Sequence, residues 1–283
     1  MTLIPIAQSQ SVTVAYFSME VGFEPGIPTY SGGLGVLAGD TLRSAADLGI
    51  PMVAVTLLHR QGYFRQHLDA LGKQTESPDL WNPEEILEPM APRVSITLEG
   101  REVQVRAWRY LVSGLSGQVP IYFLDTALPE NSPWDQTLTD FLYGGDDHYR
   151  LCQEVILGFG GVAGLKALGW GGKLIYHLNE GHSALLALSL LERQIEGRGD
   201  KIPQEADVEA IRKLCVFTTH TPVPAGQDQF SWEMVLHVLG TGRAALLEAT
   251  QSRFNTSLNM TYLAMGSPCG TAKFPLACSL VIR

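Results

Sequence analysis

Two apolar runs, VTVAYFSM at 12–19 and PMVAVTLL at 51–58, flank the glycine-led segment YSGGLGVLAGDTLRSAADLG at 30–49. Both runs are rich in β-branched and aromatic residues, as buried strands are. Between them Val36, Leu37, Thr41, Leu42, Ala45 and Leu48 fall on one helical stripe that stops at Gly49. Strand, helix, strand is the unit of a parallel sheet, so the chain is expected to be α/β.

The middle of the chain changes character. VSITL (94–98), EVQVRAWRYLV (102–112) and PIYFLDT (120–126) read as strands with no helix between them, and Glu99–Gly100 supplies a hairpin turn. This is an antiparallel excursion set into or beside the βαβ layer. Further on, 149–168 reads as a helix whose glycines permit close packing. KLIYHLN (173–179) is a strand, GHSALLALSLLERQIE (181–196) and VEAIRKL (208–214) are helices, and CVFTTHT (215–221) is a strand.

Composition excludes several classes. Of 283 residues, 45% are hydrophobic and 17% charged, which is globular, and a net charge of −9 disfavours nucleic acid as a partner. Four cysteines without a CxxC pair read as reduced thiols, and the start of the chain lacks the pattern of a signal peptide. No apolar run approaches a membrane span. A cytoplasmic protein with no membrane partner is the expectation.

Four stretches carry candidate chemistry. Gly33-x-Gly35-xxx-Gly39 resembles a dinucleotide fingerprint, but about ten residues separate it from the preceding strand, and no acidic residue ends PMVAVTLL to hold a ribose. It is left as an amide cradle for a phosphate or sugar, or as a tight turn with close helix packing. HRQGYFRQ (59–66) sets Arg60 and Arg65 around an aromatic pair, suited to a sugar or anion site or to a solvated loop. HLNEGH (177–182) brings His177, Asn179, Glu180 and His182 to the C-terminal end of a strand, where α/β sheets bind ligands. Its histidines lack the HExxH spacing, so no metal is expected there, and Asn179 or Glu180 would also suit a helix N-cap. FTTHTPVPAG (217–226) repeats the arrangement, with His220 at a strand terminus before a proline-stiffened loop.

Together with VAYFSMEVG (14–22), RLCQE (150–154) and LNMTYLA (258–264), these stretches resemble, in order, the N-terminal part of the α-glucan (glycogen/maltodextrin) phosphorylases. The resemblance implies a Rossmann-like N-terminal half of a two-domain GT-B glycosyltransferase. It also implies retaining phosphorolysis of an α-1,4-glucan by inorganic phosphate to glucose 1-phosphate. The cofactor it implies is pyridoxal 5′-phosphate, acting through its own phosphate. Residue by residue, His220 and Glu20 resemble catalytic-site residues. Gly33, Leu34, Asn179 and His182 resemble substrate-binding positions, while Gly32 and Gly33 resemble the loop at the cofactor phosphate. Arg60 and Arg65 are expected near the site.

Two departures shape the expectation. The family's second domain, with its Schiff-base lysine, is not matched, so cofactor retention and activity are not expected of these residues alone. The chain divides into a glucan-binding Rossmann-like domain, 1–264, and a tail, 265–283, that reads as an out-of-frame ending. Loss of a covering domain would expose apolar surface and favour a homo-oligomer. Two rival readings stand beside this one. A glycogen-synthase type of transferase would carry a lysine before the glycines, where this sequence has Tyr30 and Ser31. A non-catalytic glucan-binding protein would keep sugar contacts without the chemistry.

Overall fold

In the computed structural model, residues 12–199, 202–221, 227–250, 257–265 and 278–279 are described. The chain begins with β1 (Thr13–Phe17), α1 (Gly33–Leu48) and β2 (Met52–Leu57), then a small hairpin of β3 (Arg65–Leu68) and β4 (Gln74–Ser77) and a single turn, α2 (Pro83–Ile86). The excursion follows as β5 (Glu88–Leu98), β6 (Arg101–Ser113) and β7 (Gln118–Asp125). Next come α3 (Asp147–Val155), a π-helical turn (Ile156–Gly160), α4 (Gly161–Ala167), β8 (Leu174–Asn179), α5 (Leu185–Arg198), α6 (Glu205–Arg212) and β9 (Cys215–Thr218). The last elements are β10 (Gln229–Ser231), α7 (Trp232–Thr250), β11 (Ser257–Asn259), α8 (Met260–Met265) and β12 (Cys278–Ser279).

The main sheet runs β12-β9-β8-β1-β2-β7-β6-β5. From β12 to β7 every pairing is parallel, and β7-β6-β5 closes the other side antiparallel. The α/β expectation and the antiparallel excursion both hold, with the excursion continuous with the parallel layer. Along β1, Ala15 and Phe17 face a core shared with α3, α4, α5 and α7, whereas Tyr16 faces a second core under α1. Apolar layers on both faces explain why β2 is buried at all six positions instead of alternating.

Helix α1 corrects one expectation. Its buried face is Gly35, Ala38, Gly39, Leu42, Ala45 and Ala46, while Val36, Leu37 and Leu48 of the expected stripe are exposed. The reason is proximity. A Cβ built on Gly39 would stand 2.0 Å from the Gly22 carbonyl oxygen, so only a face of small residues lets the helix seat this closely. Gly49 ends the helix in the left-handed conformation, φ 64°, as its position predicts.

The expected 149–168 helix forms, but its middle is the π turn. A Cβ on Gly158 would lie 2.7 Å from Leu186 N, and one on Gly161 would lie 2.4 Å from Phe17 Cε1, so the glycines do permit close packing. The expected strand 215–221 ends early, at Thr218, because a side chain of the neighbouring loop takes the next backbone amides. Of the tail, only Met265 and Cys278–Ser279 fall within the described residues, as do neither Pro222 nor Pro224.

Candidate functional site

From β1 the chain moves by way of α1 to β2 on one side, and it returns to β1's other side only with β8. The C-terminal ends of β1 and β8 therefore flank a switch in strand order, the place where open α/β sheets hold ligands. Register keeps the ends level: Phe17 pairs with Leu178, and Asn179 with Thr218. Glu20 follows β1, Asn179 and Glu180 close β8, and His220 follows β9.

Glu20 is 2% exposed yet has a full set of partners. Its Oε2 accepts from Ser31 N at 2.7 Å and Gly32 N at 3.3 Å, and Oε1 accepts from Tyr143 Oη at 2.8 Å. A carboxylate at the start of α1 suits both the unpaired amides and the helix dipole. Burial, and then the Glu20 charge, push the Tyr143 hydroxyl well above its usual range, so it stays a donor. The Gly32 amide is thus engaged inside the protein. At Gly32 and Gly33 an added Cβ would meet open space, and the Gly33 and Leu34 amides, in the first turn, have no carbonyl of the helix to bond. These two amides are what the loop presents outward.

Glu180 does for the β9 loop what Glu20 does for the β1 loop. It sits at φ 64°, an unusual conformation for a non-glycine residue. Its Oε1 accepts from the amides of His220 and Thr221, the latter at 3.0 Å, and Oε2 accepts from Thr219 Oγ1 at 3.1 Å. Glu180 stands at the N-cap position of the turn that follows but makes no side-chain capping bond, because its side chain and that of Asn179 reach across strands instead. Asn179 Nδ2 donates to Ser18 Oγ at 3.2 Å, and Oδ1 accepts from His220 Nε2 at 3.0 Å. Ser18 Oγ in turn donates to the Glu20 carbonyl at 2.7 Å. With Nε2 donating, the imidazole of the exposed His220 keeps Nδ1 as an acceptor.

His182 belongs to a third cluster. Its Nε2 lies 3.2 Å from Asp228 Oδ2, its ring centroid 5.5 Å from that of Tyr143, and Arg150 Nη2 donates to Asp228 Oδ2 at 2.6 Å. Burial opposes the Asp228 charge, but the hydrogen bond and charge of His182, with Arg150, outweigh it and hold the carboxyl well below its usual range. Glu154 beside it is fully buried, and neither carboxyl oxygen meets a hydrogen-bond partner among the described residues. Burial, reinforced by the Asp228 charge, raises it well above the usual carboxylate range. The turn at 181–183 packs on α8: a Cβ on Gly181 would sit 2.8 Å from Thr261 N.

Other expected residues lie apart from these contacts. Arg60 Nη2 bonds the buried Asp125 at 2.7 Å, and Arg65 pairs with Asp79 at 2.7 Å in an exposed position. Their aromatic neighbours land closer to the loop. Tyr63 and Phe64 line a cavity of about 340 Å³ with Tyr30 and Ser31. His177 Nε2 is 2.8 Å from Thr218 Oγ1, and burial, with the nearby His220, lowers its pKa to about 4. Sequence reasoning missed Tyr143, Arg150 and Asp228, which lie outside the strand ends. RLCQE, quoted only for its likeness, contained Arg150 and Glu154.

No family model matches the chain. Among curated proteins, it is 37% identical to a glycogen phosphorylase of Mycobacterium tuberculosis over 288 residues, taking in 96% of this chain and 32% of that protein. It is 42% identical to a maltodextrin phosphorylase of Thermococcus litoralis over 224 residues, 77% of this chain and 26% of the other. A glycogen phosphorylase of Aquifex aeolicus is 31% identical over 232 residues, 78% of this chain and 32% of its own length. The chain spans about a third of the length of the relatives it matches.

Proposed function

This chain is related to the glycogen and maltodextrin phosphorylases over most of its length, and we propose that it supplies the glucan-facing side of such an enzyme. The reaction proposed is retaining phosphorolysis of an α-1,4-glucan to glucose 1-phosphate, in a GT-B arrangement with a second Rossmann-like domain. The observation that carries it is the pair of carboxylate-gripped loops at the switch point. Glu20 holds the chain ahead of Gly33–Leu34, Glu180 holds 219–221, and Ser18 and Asn179 tie the two.

Each group has a role in that reading. The Gly33 and Leu34 amides donate to phosphate or sugar oxygens without needing reorganisation. His220, its tautomer fixed by Asn179, accepts from a sugar hydroxyl at Nδ1. Glu20 and Glu180 are positioning residues, since their oxygens are engaged with the backbone. His182, fixed by Asp228, borders the cleft.

Pyridoxal phosphate, when bound in this family, supplies a phosphate that exchanges protons with the substrate phosphate. The Gly33 and Leu34 amides fit one oxygen of such a group, and Gly32 contributes through its shape. The lysines among the described residues lie elsewhere: Lys73 on the β3–β4 hairpin, Lys166 and Lys173 toward the opposite end of the sheet, Lys213 after α6. A covalent anchor for the cofactor is therefore not among the described groups of this site. This favours a second reading for the 283 residues by themselves, glucan contact without turnover.

Affinity electrophoresis through glycogen-containing gels tests the proposal. Retardation of the folded chain, weakened by His220→Ala, is expected, and migration unaffected by glycogen would overturn it. Release of glucose 1-phosphate by the same preparation, supplied with pyridoxal phosphate, glucan and phosphate, would overturn the reading of contact without turnover.

A further inference from the structure

Away from the switch point, the tip of the β5–β6 hairpin meets the first turn of α3 and the first half of α7. Glu99 and Gly100 turn the hairpin with φ of 52° and 74°. The tip is docked by Glu99 N, which donates to Val238 O at 2.9 Å. That carbonyl is available because α7 is interrupted two residues later, at Gly240, φ 78°. One Glu99 oxygen faces Arg101, whose guanidinium is also held by Asp135 at 2.6 Å. The other oxygen, Oε1, faces two imidazoles: His148 Nε2 in direct contact and His237 Nε2 at 3.0 Å. One turn along α3 from His148, the Cys152 Sγ lies 3.8 Å from the same His148 nitrogen.

The donor atoms of Glu99, His148 and Cys152 all lie within 4.8 Å of one another. Zinc bonds of about 2.0 Å to nitrogen and 2.3 Å to sulfur, at a tetrahedral angle, put those two atoms about 3.5 Å apart. The observed 3.8 Å separation is close to that value. We propose that Glu99, His148, Cys152 and His237 form a zinc-class metal site that clips the hairpin tip to both helices. Two imidazoles, a thiol and a carboxylate are a mixed nitrogen, sulfur and oxygen set that suits zinc and disfavours magnesium or calcium. Glu99, His148 and Cys152 form the compact three-donor cluster, and His237, 3.0 Å from Glu99 Oε1, supplies the fourth ligand of a structural site. Trp134 stacks on His148 with ring centroids 5.9 Å apart and planes 3° from parallel, which fixes the imidazole's orientation. The His148–Cys152 pair, four residues apart on one helical face, accounts for half the ligands. Their distant partners, Glu99 and His237, arrive only through the hairpin and α7. The sequence reading expected no metal because it weighed only the HLNEGH histidines. This site does not depend on the reading of the switch point.

The test is metal content of the purified chain, stripped with chelator and then equilibrated with zinc or cobalt(II). One metal per chain is expected, with a higher unfolding temperature in zinc and a thiolate-to-cobalt charge-transfer band in cobalt. Cys152→Ser should abolish that band. His237→Ala, at an exposed position that leaves the core intact, should weaken zinc binding by about tenfold or more without altering the circular dichroism. A folded wild-type chain that takes up no stoichiometric zinc would overturn the proposal. So would a cobalt complex lacking the thiolate band, or zinc binding that His237→Ala leaves unchanged.

Discussion

The two halves of the main sheet each bury carboxylates, and they satisfy them differently. In the antiparallel half, Asp125 at the end of β7 is fully buried and receives Arg60, Arg106 and Trp108 Nε1, the last two at 2.8 Å. In the parallel half, Glu20 and Glu180 receive mainly backbone amides of the next loop. The guanidinium partners come from the neighbouring strand β6 (Arg106) and from the loop after β2 (Arg60), and they rivet the sheet to itself. Amide partners belong to loop segments that have no ladder of their own, so the same charge there fixes the shape of a loop. The first arrangement braces the sheet and the second shapes the loops at its edge.

The difference can be broken from its stronger side. Asp125→Ala strands two guanidinium groups and an indole in a buried setting, and should cost about 3–5 kcal/mol of unfolding free energy in urea titrations. A loss below about 1 kcal/mol would mean the rivet is dispensable. Glu180→Gln keeps the shape but loses the charge-assisted bonds to 220 and 221. Its expected stability loss is smaller, about 1–3 kcal/mol, with a larger proportional loss of glycogen retardation than Asp125→Asn shows.

Acid probes the parallel half separately. Burial lowers His59 to about 4, and its Nε2 donates to Met19 O at 2.8 Å. The unfolded chain binds a proton near pH 6.5 and the folded chain does not, so stability is complete above that pH and declines as pH falls from 6.5 toward 4. For His59 the loss between pH 7 and 5 is about 2 kcal/mol, and His177 adds to it in the same direction. Denaturation midpoints at the two pH values measure this, and a flat profile would contradict it. Within α1, Gly39→Ala should cost about 1–3 kcal/mol through its clash with Gly22, while Gly33→Ala, in open space, should leave the melting temperature nearly unchanged. Least affected is Arg65→Ala: its pair with Asp79 is exposed, and removal should shift stability by under about 0.5 kcal/mol.

Much of the layer was legible because period and punctuation are local. The runs at 12–19 and 51–58 became β1 and β2, Gly49 ended α1, and Glu99–Gly100 turned the hairpin. The face of α1 was not, because hydrophobicity favours large side chains whereas a close backbone contact selects small ones. His220 and Asn179 could be placed at strand ends from the chain alone. Glu180 reaching across to 220, or Arg150 finding Asp228, depends on which strands become neighbours, and no local pattern encodes that. The end of β9 shifted for the same reason.

The π turn at Ile156–Gly160 bears on how this sequence tolerates change in length. A π turn holds one residue more than an α turn, and each residue of a helix advances the side-chain direction by about 100°. Deleting one residue here would leave an ordinary helix with every hydrogen bond available. Because the wider turn absorbs the extra residue, α3 and α4 keep nearly the phase they would have without it, and His148, Arg150, Cys152 and Glu154 stay aimed at the hairpin, α7 and Asp228. A one-residue deletion at this point should therefore be tolerated better than one inside α3 or α4, where no wide turn takes up the change.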